Sequence, residues 1–230
     1  MVDVEYLKPT SILDSDHPRV VDFTLKAIGD CRDPREKAVR LFYAVRDGVL
    51  YDPYTPFYLP EHYRASKILE KGRGYCVCKA SLLCAVGRAG GIPSRLGFAT
   101  VRSHIATKNL VEFLGSDLFV YHGFTEFYLG GKWVKATPAF NKELCDRHKV
   151  APLEFDGRED ALFQEYDMEN RRYMEYLAYH GTYADIPLDR ILAAWDETYG
   201  KERVQAWIEL FEKEGDGAIA DFYREEISKA

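Results

Sequence analysis

The chain has 230 residues, 47% of them hydrophobic and 30% charged, a composition that suits a folded chain able to bury one substantial core. Its 37 acidic side chains outnumber the 31 basic ones, and no run of Lys or Arg stands out, which argues against a nucleic acid or an anionic membrane as partner. The first residues are acidic where a signal peptide needs a basic flank, and no apolar run approaches the roughly 20 residues of a membrane span, so a cytoplasmic location is expected.

Asp33 and Pro34 read as the N-cap and first residue of a helix, since Asp offers an acceptor to the free N–H groups and the fixed φ of Pro suits that position. Apolar Ala38, Leu41, Phe42, Val45 and Val49 follow, and the helix is predicted to end near Asp47 and Gly48. Residues 51–60 hold three prolines among aromatics, which forbids regular helix and predicts an ordered loop of the kind that walls a cleft. From 76 to 88 the side chains are too apolar for a surface helix, so a helix is predicted at the centre of the fold, stopped by Gly90, Gly91 and Pro93. A strand is predicted at 95–101. Residues 119–128 and 133–140 read as a hairpin closed at Gly130 and Gly131, because Gly accepts the positive φ of a tight turn. From 153 onward turn signals are few and aromatics many, and the segment reads as helical. Covering a cleft and forming a dimer surface are both open roles for it.

Five cysteines (Cys31, Cys76, Cys78, Cys84, Cys145) are an odd number in a chain too long to need stapling, so reduced thiols are expected. Cys31, Cys84 and Cys145 read as small buried hydrophobes. Cys76 differs, because Gly72 and Gly74 precede it and it opens the apolar helix. The free N–H groups and positive end of a helix stabilise a thiolate and can cradle a developing oxyanion. Cys76 is therefore the candidate nucleophile, with its own N–H as oxyanion donor. Cys78 lies about 200° further round the helix, so the two thiols cannot share a cleft.

A nucleophile needs a base, and among the six histidines His122 is preferred because a strand fixes its ring. A two-residue turn would pair Leu129 with Lys132, Glu126 with Lys135, Phe124 with Thr137 and His122 with Ala139. Thr137 and Asn141 then become diagonal neighbours of His122, and either could orient the imidazole. Glu126 opposite Lys135 reads as a cross-strand ion pair. A zinc site built from Cys76, Cys78 and His122 is a rival, but a second pair of ligands is missing, and no metal or cofactor is expected.

The run from Gly72 to Arg95, with its glycine-flanked Cys and trailing Gly-Ile-Pro-Ser-Arg, resembles the nucleophile helix of the transglutaminase-like superfamily. Residues 121–129 followed by Gly-Gly-Lys-Trp-Val resemble that family's histidine strand and its Trp-bearing return strand, and the likeness covers roughly 33–141. The resemblance implies an α+β, papain-like core in which a buried Cys helix packs on an antiparallel sheet. It also implies a Cys-His-Asp triad, which relatives use for protein cross-linking, deamidation, peptide hydrolysis or removal of glycans from asparagine. Cys76 and His122 map onto that triad, whereas Thr137 stands where the family has Asp. The expected organisation is a transglutaminase-like core at 1–148 and a mainly helical extension at 149–230, packed as one unit. The expected function is a thiol enzyme acting on the amide of a peptide, a protein or a small molecule. A non-catalytic binding module that has lost the triad Asp is the alternative.

Overall fold

The computed structural model describes residues 3–104, 106–214 and 220–225. Two helices, α1 (Pro18–Ile28) and α2 (Pro34–Gly48), lead to a short strand β1 (Leu50–Tyr51), helix α3 (Ala65–Lys71), short strand β2 (Arg73–Gly74) and helix α4 (Cys76–Ala89). Then come β3 (Ser94–Ser103), α5 (Lys108–Leu114), β4 (Leu118–Leu129), β5 (Lys132–Ala136), α6 (Lys142–His148), β6 (Met174–Tyr183), α7 (Leu188–Tyr199) and α8 (Lys201–Glu214). The larger sheet is antiparallel in the order β5-β4-β3-β6, and β1 pairs with β2 in parallel. No helix among the described residues is long and apolar enough to cross a membrane.

Helix α4 is the axis of the core, with every residue from Cys76 to Arg88 buried. It lies on β4 and β3 and is wrapped by α1, α2 and α3, which is why its sequence lacks a polar face. Its two buried basic side chains are held by backbone oxygens. Lys79 Nζ donates to the carbonyls of Arg46 and Val49 at the end of α2, taking the place of a helix cap. The Arg88 guanidinium donates to the carbonyls of Lys8, Ser94 and Ala184, and so ties α4 to the N-terminal segment and to the end of the β3–β6 pair where β3 starts and β6 finishes. Asp33 caps α2, its carboxylate accepting from Glu36 N at 2.8 Å.

The hairpin turns at Gly130 (φ 59°) and Gly131 (φ 87°), and Leu129 pairs with Lys132, Tyr128 with Trp133 and Glu126 with Lys135, the register expected of a two-residue turn. The ladder ends at Thr125 and Ala136, short of the pairs foreseen for Thr137 and Ala139. Pro138 offers no N–H to continue it. Instead the chain at Ala161 docks on the outer side of β5, where Thr137 N donates to Ala161 O and Ala161 N to Lys135 O. The expected Glu126–Lys135 ion pair is also replaced. Arg95, opposite Glu126 on β3, donates to it at 2.6 Å and lies over the Trp133 ring, while Lys135 pairs with Asp160 at 2.8 Å.

The helical character expected after 153 holds for α7 and α8. Before them, 153–173 has no regular helix and Met174–Tyr183 is an edge strand carrying Tyr176, Tyr179, Thr182 and Tyr183. Aromatic and β-branched residues favour a pleated surface, but exposure along most of this strand blurs the alternation that would have marked it.

Candidate active site

The Gly72-Arg73-Gly74 run delivers Cys76 to the cleft by a short elbow. Gly72 ends α3 in the left-handed region (φ 66°), a conformation that suits Gly best. At Gly74 an added Cβ would lie 2.6 Å from Cys78 Cβ, so only Gly lets the strand turn into the helix. Backbone bonds from Leu50 N to Gly72 O and from Asp52 N to Gly74 O fasten the elbow to the Pro-rich loop. Tyr75 at the N-cap makes no side-chain hydrogen bond to the start of α4, its hydroxyl donating to the Tyr63 hydroxyl at 2.7 Å, which leaves the first N–H groups of α4 for whatever occupies the cleft.

His122 sits beside a β-bulge. Ala99 pairs with His122 but Val101 with Phe119, so Val120 and Tyr121 together face Thr100. Tyr121 absorbs the extra residue at φ 56°, a strained value for an aromatic residue in a strand. Its ring stacks on His180 at 4.4 Å, and His180 is fixed in turn by Thr100 Oγ1 at 2.7 Å. One residue on, Gly123 permits α4 to approach the sheet, since a Cβ there would lie 3.0 Å from Val77 Cα.

Two apolar hollows meet at this point, and both are lined by Cys76, His122, Tyr51, Leu110 and Phe119. One extends toward Phe140, Phe163, Met174 and Phe222 and holds about 530 Å³ of empty space, counting its open mouth. The other extends toward Tyr75, Trp195 and Tyr199 and holds about 420 Å³. Among the described residues, no Asp, Glu, Lys or Arg lines either one. The Pro-rich loop contributes Tyr51 and Pro53 to these walls.

This apolar setting corrects the expectation of a resting thiolate. Burial pushes the Cys76 thiol up to about 11, although the N–H groups of Gly123, Val77 and Cys76 itself pull the other way. Burial likewise drives His122 down to about 3. At neutral pH both groups are uncharged, because loss of water outweighs the helix end.

The groups around the imidazole are aromatic rather than acidic. Phe163 lies 5.1 Å from the His122 ring and Tyr176 6.4 Å. Among the described residues, His122 Nε2 and Thr137 Oγ1 are buried without a hydrogen-bond partner, and the Tyr176 hydroxyl lies near Thr137. Asn141 does not serve the imidazole. Its Oδ1 accepts from Tyr51 N at 3.1 Å and from the Tyr223 hydroxyl at 2.8 Å, because α6 starts here and turns the side chain toward β1. Cys78 faces away from the cleft, its sulfur 3.5 Å from His62 O, so Cys76, Cys78 and His122 do not converge as zinc ligands would. All five cysteines are free; Cys84 and Cys145 are buried, and Cys31 is half-exposed. Phe163, Tyr176 and Phe222 were not visible as site residues in the sequence, where they blended into a stretch dense in aromatics.

A family model described as the transglutaminase-like superfamily matches residues 22–138, just over half of the chain. Members of that superfamily are generally cysteine-dependent enzymes. No curated protein matches. Among solved structures, a provisionally assigned cysteine protease of Cytophaga hutchinsonii is similar at 16% identity and TM-score 0.46, over 79% of this chain and 55% of that one. The arylamine N-acetyltransferase of Mycobacterium abscessus is similar at 17% identity and TM-score 0.35, over 58% of this chain and 46% of that one. The chain thus spans about half the length of these proteins.

Proposed function

The chain belongs to the transglutaminase-like superfamily, and from that premise we propose that it is a thiol enzyme acting on amide bonds, with Cys76 as nucleophile and His122 as base. The observation that carries this reading is the meeting of Cys76 and His122 in the walls of the same two hollows, at the uncapped start of α4. With both groups neutral at rest, the proton leaves Sγ as the sulfur attacks the carbonyl, not before. The neutral imidazole is the form that can accept it. The Cys76 N–H faces the developing oxyanion, and collapse of the tetrahedral species expels the amine with the proton carried by His122. Water or a second amine then resolves the thioester. Thr137 supplies no negative charge to steady the imidazolium, so the activity is expected to be modest near neutral pH.

The second reading is a binding module that keeps the fold without the chemistry. The His122 Nε2 without a partner among the described residues, and the burial that raises the Cys76 thiol pKa and lowers that of His122, favour it. A panel of peptide, protein and small amides, assayed with wild type and Cys76→Ala, separates the two. Turnover lost in Cys76→Ala supports the enzyme, and equal signals from both proteins remove it.

A further inference from the structure

Residues 220–225 return from beyond α8 to the mouth of the cleft. The Asp221 carboxylate accepts from Tyr223 N and closes a single turn over Phe222–Arg224. Phe222 is 5% exposed, lines the same hollow as Cys76, and packs on Tyr51 at 5.7 Å and on His148 at 6.0 Å. Three residues on, the Glu225 side chain is also buried, with Tyr54 donating to Oε1 at 2.8 Å and Thr107 to Oε2. Tyr54 belongs to the Pro-rich loop and Thr107 caps α5, so the carboxylate links two different walls.

The manner of attachment is that of a ligand. The segment's own backbone hydrogen bonds, Arg224 N to Asp221 O and Glu225 N to Phe222 O, are internal. Its hold on the body comes from Phe222, Tyr223 and Glu225 side chains, with one bond from Arg147 to Glu225 O. A separate peptide could make every one of these contacts. A buried carboxylate also needs designated donors, and two hydroxyls from facing walls supply them.

We propose that the cleft is a recognition site for a peptide that presents an aromatic side chain beside Cys76 and a carboxylate three residues later, and that 221–225 occupy it as a resident ligand. This rests on Cys76 being the nucleophile only in that it names the substrate such a nucleophile would meet. Phe222 fills the apolar hollow, and Tyr54 with Thr107 reads the acid. A peptide amide with that spacing must displace the segment before its carbonyl can reach the sulfur.

The test is alkylation of the full chain by iodoacetamide, with each cysteine followed by mass spectrometry. Wild type, Phe222→Ala, Glu225→Ala and Tyr54→Phe are compared, with and without a blocked peptide of sequence Ala-Asp-Phe-Tyr-Arg-Glu. The core thiol Cys84 reports any general unfolding. Alkylation of Cys76 is expected to rise at least about tenfold in each variant, the effect of losing one charge-assisted hydrogen bond, and further in Phe222→Ala, where a buried ring is lost, while Cys84 stays protected. The free peptide should reverse the rise in Phe222→Ala and Glu225→Ala, whereas peptides with Ala in place of Phe or Glu should not. In Tyr54→Phe, about tenfold more peptide should be needed. Wild-type alkylation rates in the tail variants, or a rise that the peptide does not reverse, overturn the proposal. Neither readout needs turnover, so reversible protection without amide activity would end the enzyme reading and leave this one standing.

Discussion

Replacing Gly123 by Ala tests how the fold brings Cys76 and His122 together. The new methyl would lie 3.0 Å from Val77 Cα and 3.3 Å from Val77 Cγ2. Carbon atoms rest at about 3.5–4.0 Å, and a helix backbone atom cannot rotate aside, so the start of α4 must retreat by roughly 0.5–1 Å. Overpacking of this kind costs about 1–3 kcal/mol, and a displacement near 1 Å at a reacting atom can cost about 100-fold in rate. The matched control is Gly87→Ala on the same α4–β4 seam, where a Cβ would meet Phe127 at 2.6 Å. That site is about three helical turns from Cys76. Urea denaturation should show both variants destabilised, with loss of Cys76 reactivity well beyond the stability loss only in Gly123→Ala. Unchanged reactivity in Gly123→Ala, or an equal loss in the control, would refute the reasoning.

Acid should weaken the fold through its buried imidazoles. The His122 pKa is lowered from 6.5 to about 3, so its contribution is present above about pH 6.5 and lost as pH falls through about 3, with a ceiling on the order of 5 kcal/mol. His148, lowered to about 4 by burial and by Arg147, adds in the same window. Urea midpoints measured from pH 7 to pH 4 should fall less steeply in His122→Gln. Thr137→Asp restores the carboxylate of the family pattern and should raise the His122 pKa, moving the activity profile toward neutral pH while lowering stability by a few kcal/mol; an unmoved profile would deny Thr137 a place at the imidazole. Lys79→Met leaves the Arg46 and Val49 carbonyls without their donor and should cost about 2–4 kcal/mol in the same denaturation assay.

The residues that write their conformation locally were legible in the sequence. Asp33 with Pro34 announced a helix start, Gly130 with Gly131 fixed a turn and its register, and the apolar run after Cys76 declared a central helix. What stayed hidden depends on partners far along the chain. The bulge at Tyr121 is stabilised by His180 on β6, and the imidazole is walled by Phe163 and Tyr176, none of which any local pattern connects to His122. The charge state of Cys76 depends on distant partners in the same way. Its helix end and glycines are local, whereas the apolar walls that raise the thiol come from segments spread along the chain from Tyr51 to Phe222. Asn141 looked adjacent to His122 by strand counting, but Pro138 ends the ladder before that count applies.

The central claim is that Cys76 accepts an acyl group with help from His122. Intact-mass and peptide mapping after brief exposure to p-nitrophenyl acetate tests it most directly. One acetyl adduct is expected, mapped to Cys76, absent in Cys76→Ser and formed about 100-fold more slowly in His122→Ala. Acetylation that favours the more exposed Cys31, or that proceeds at the same rate in His122→Ala, would contradict it.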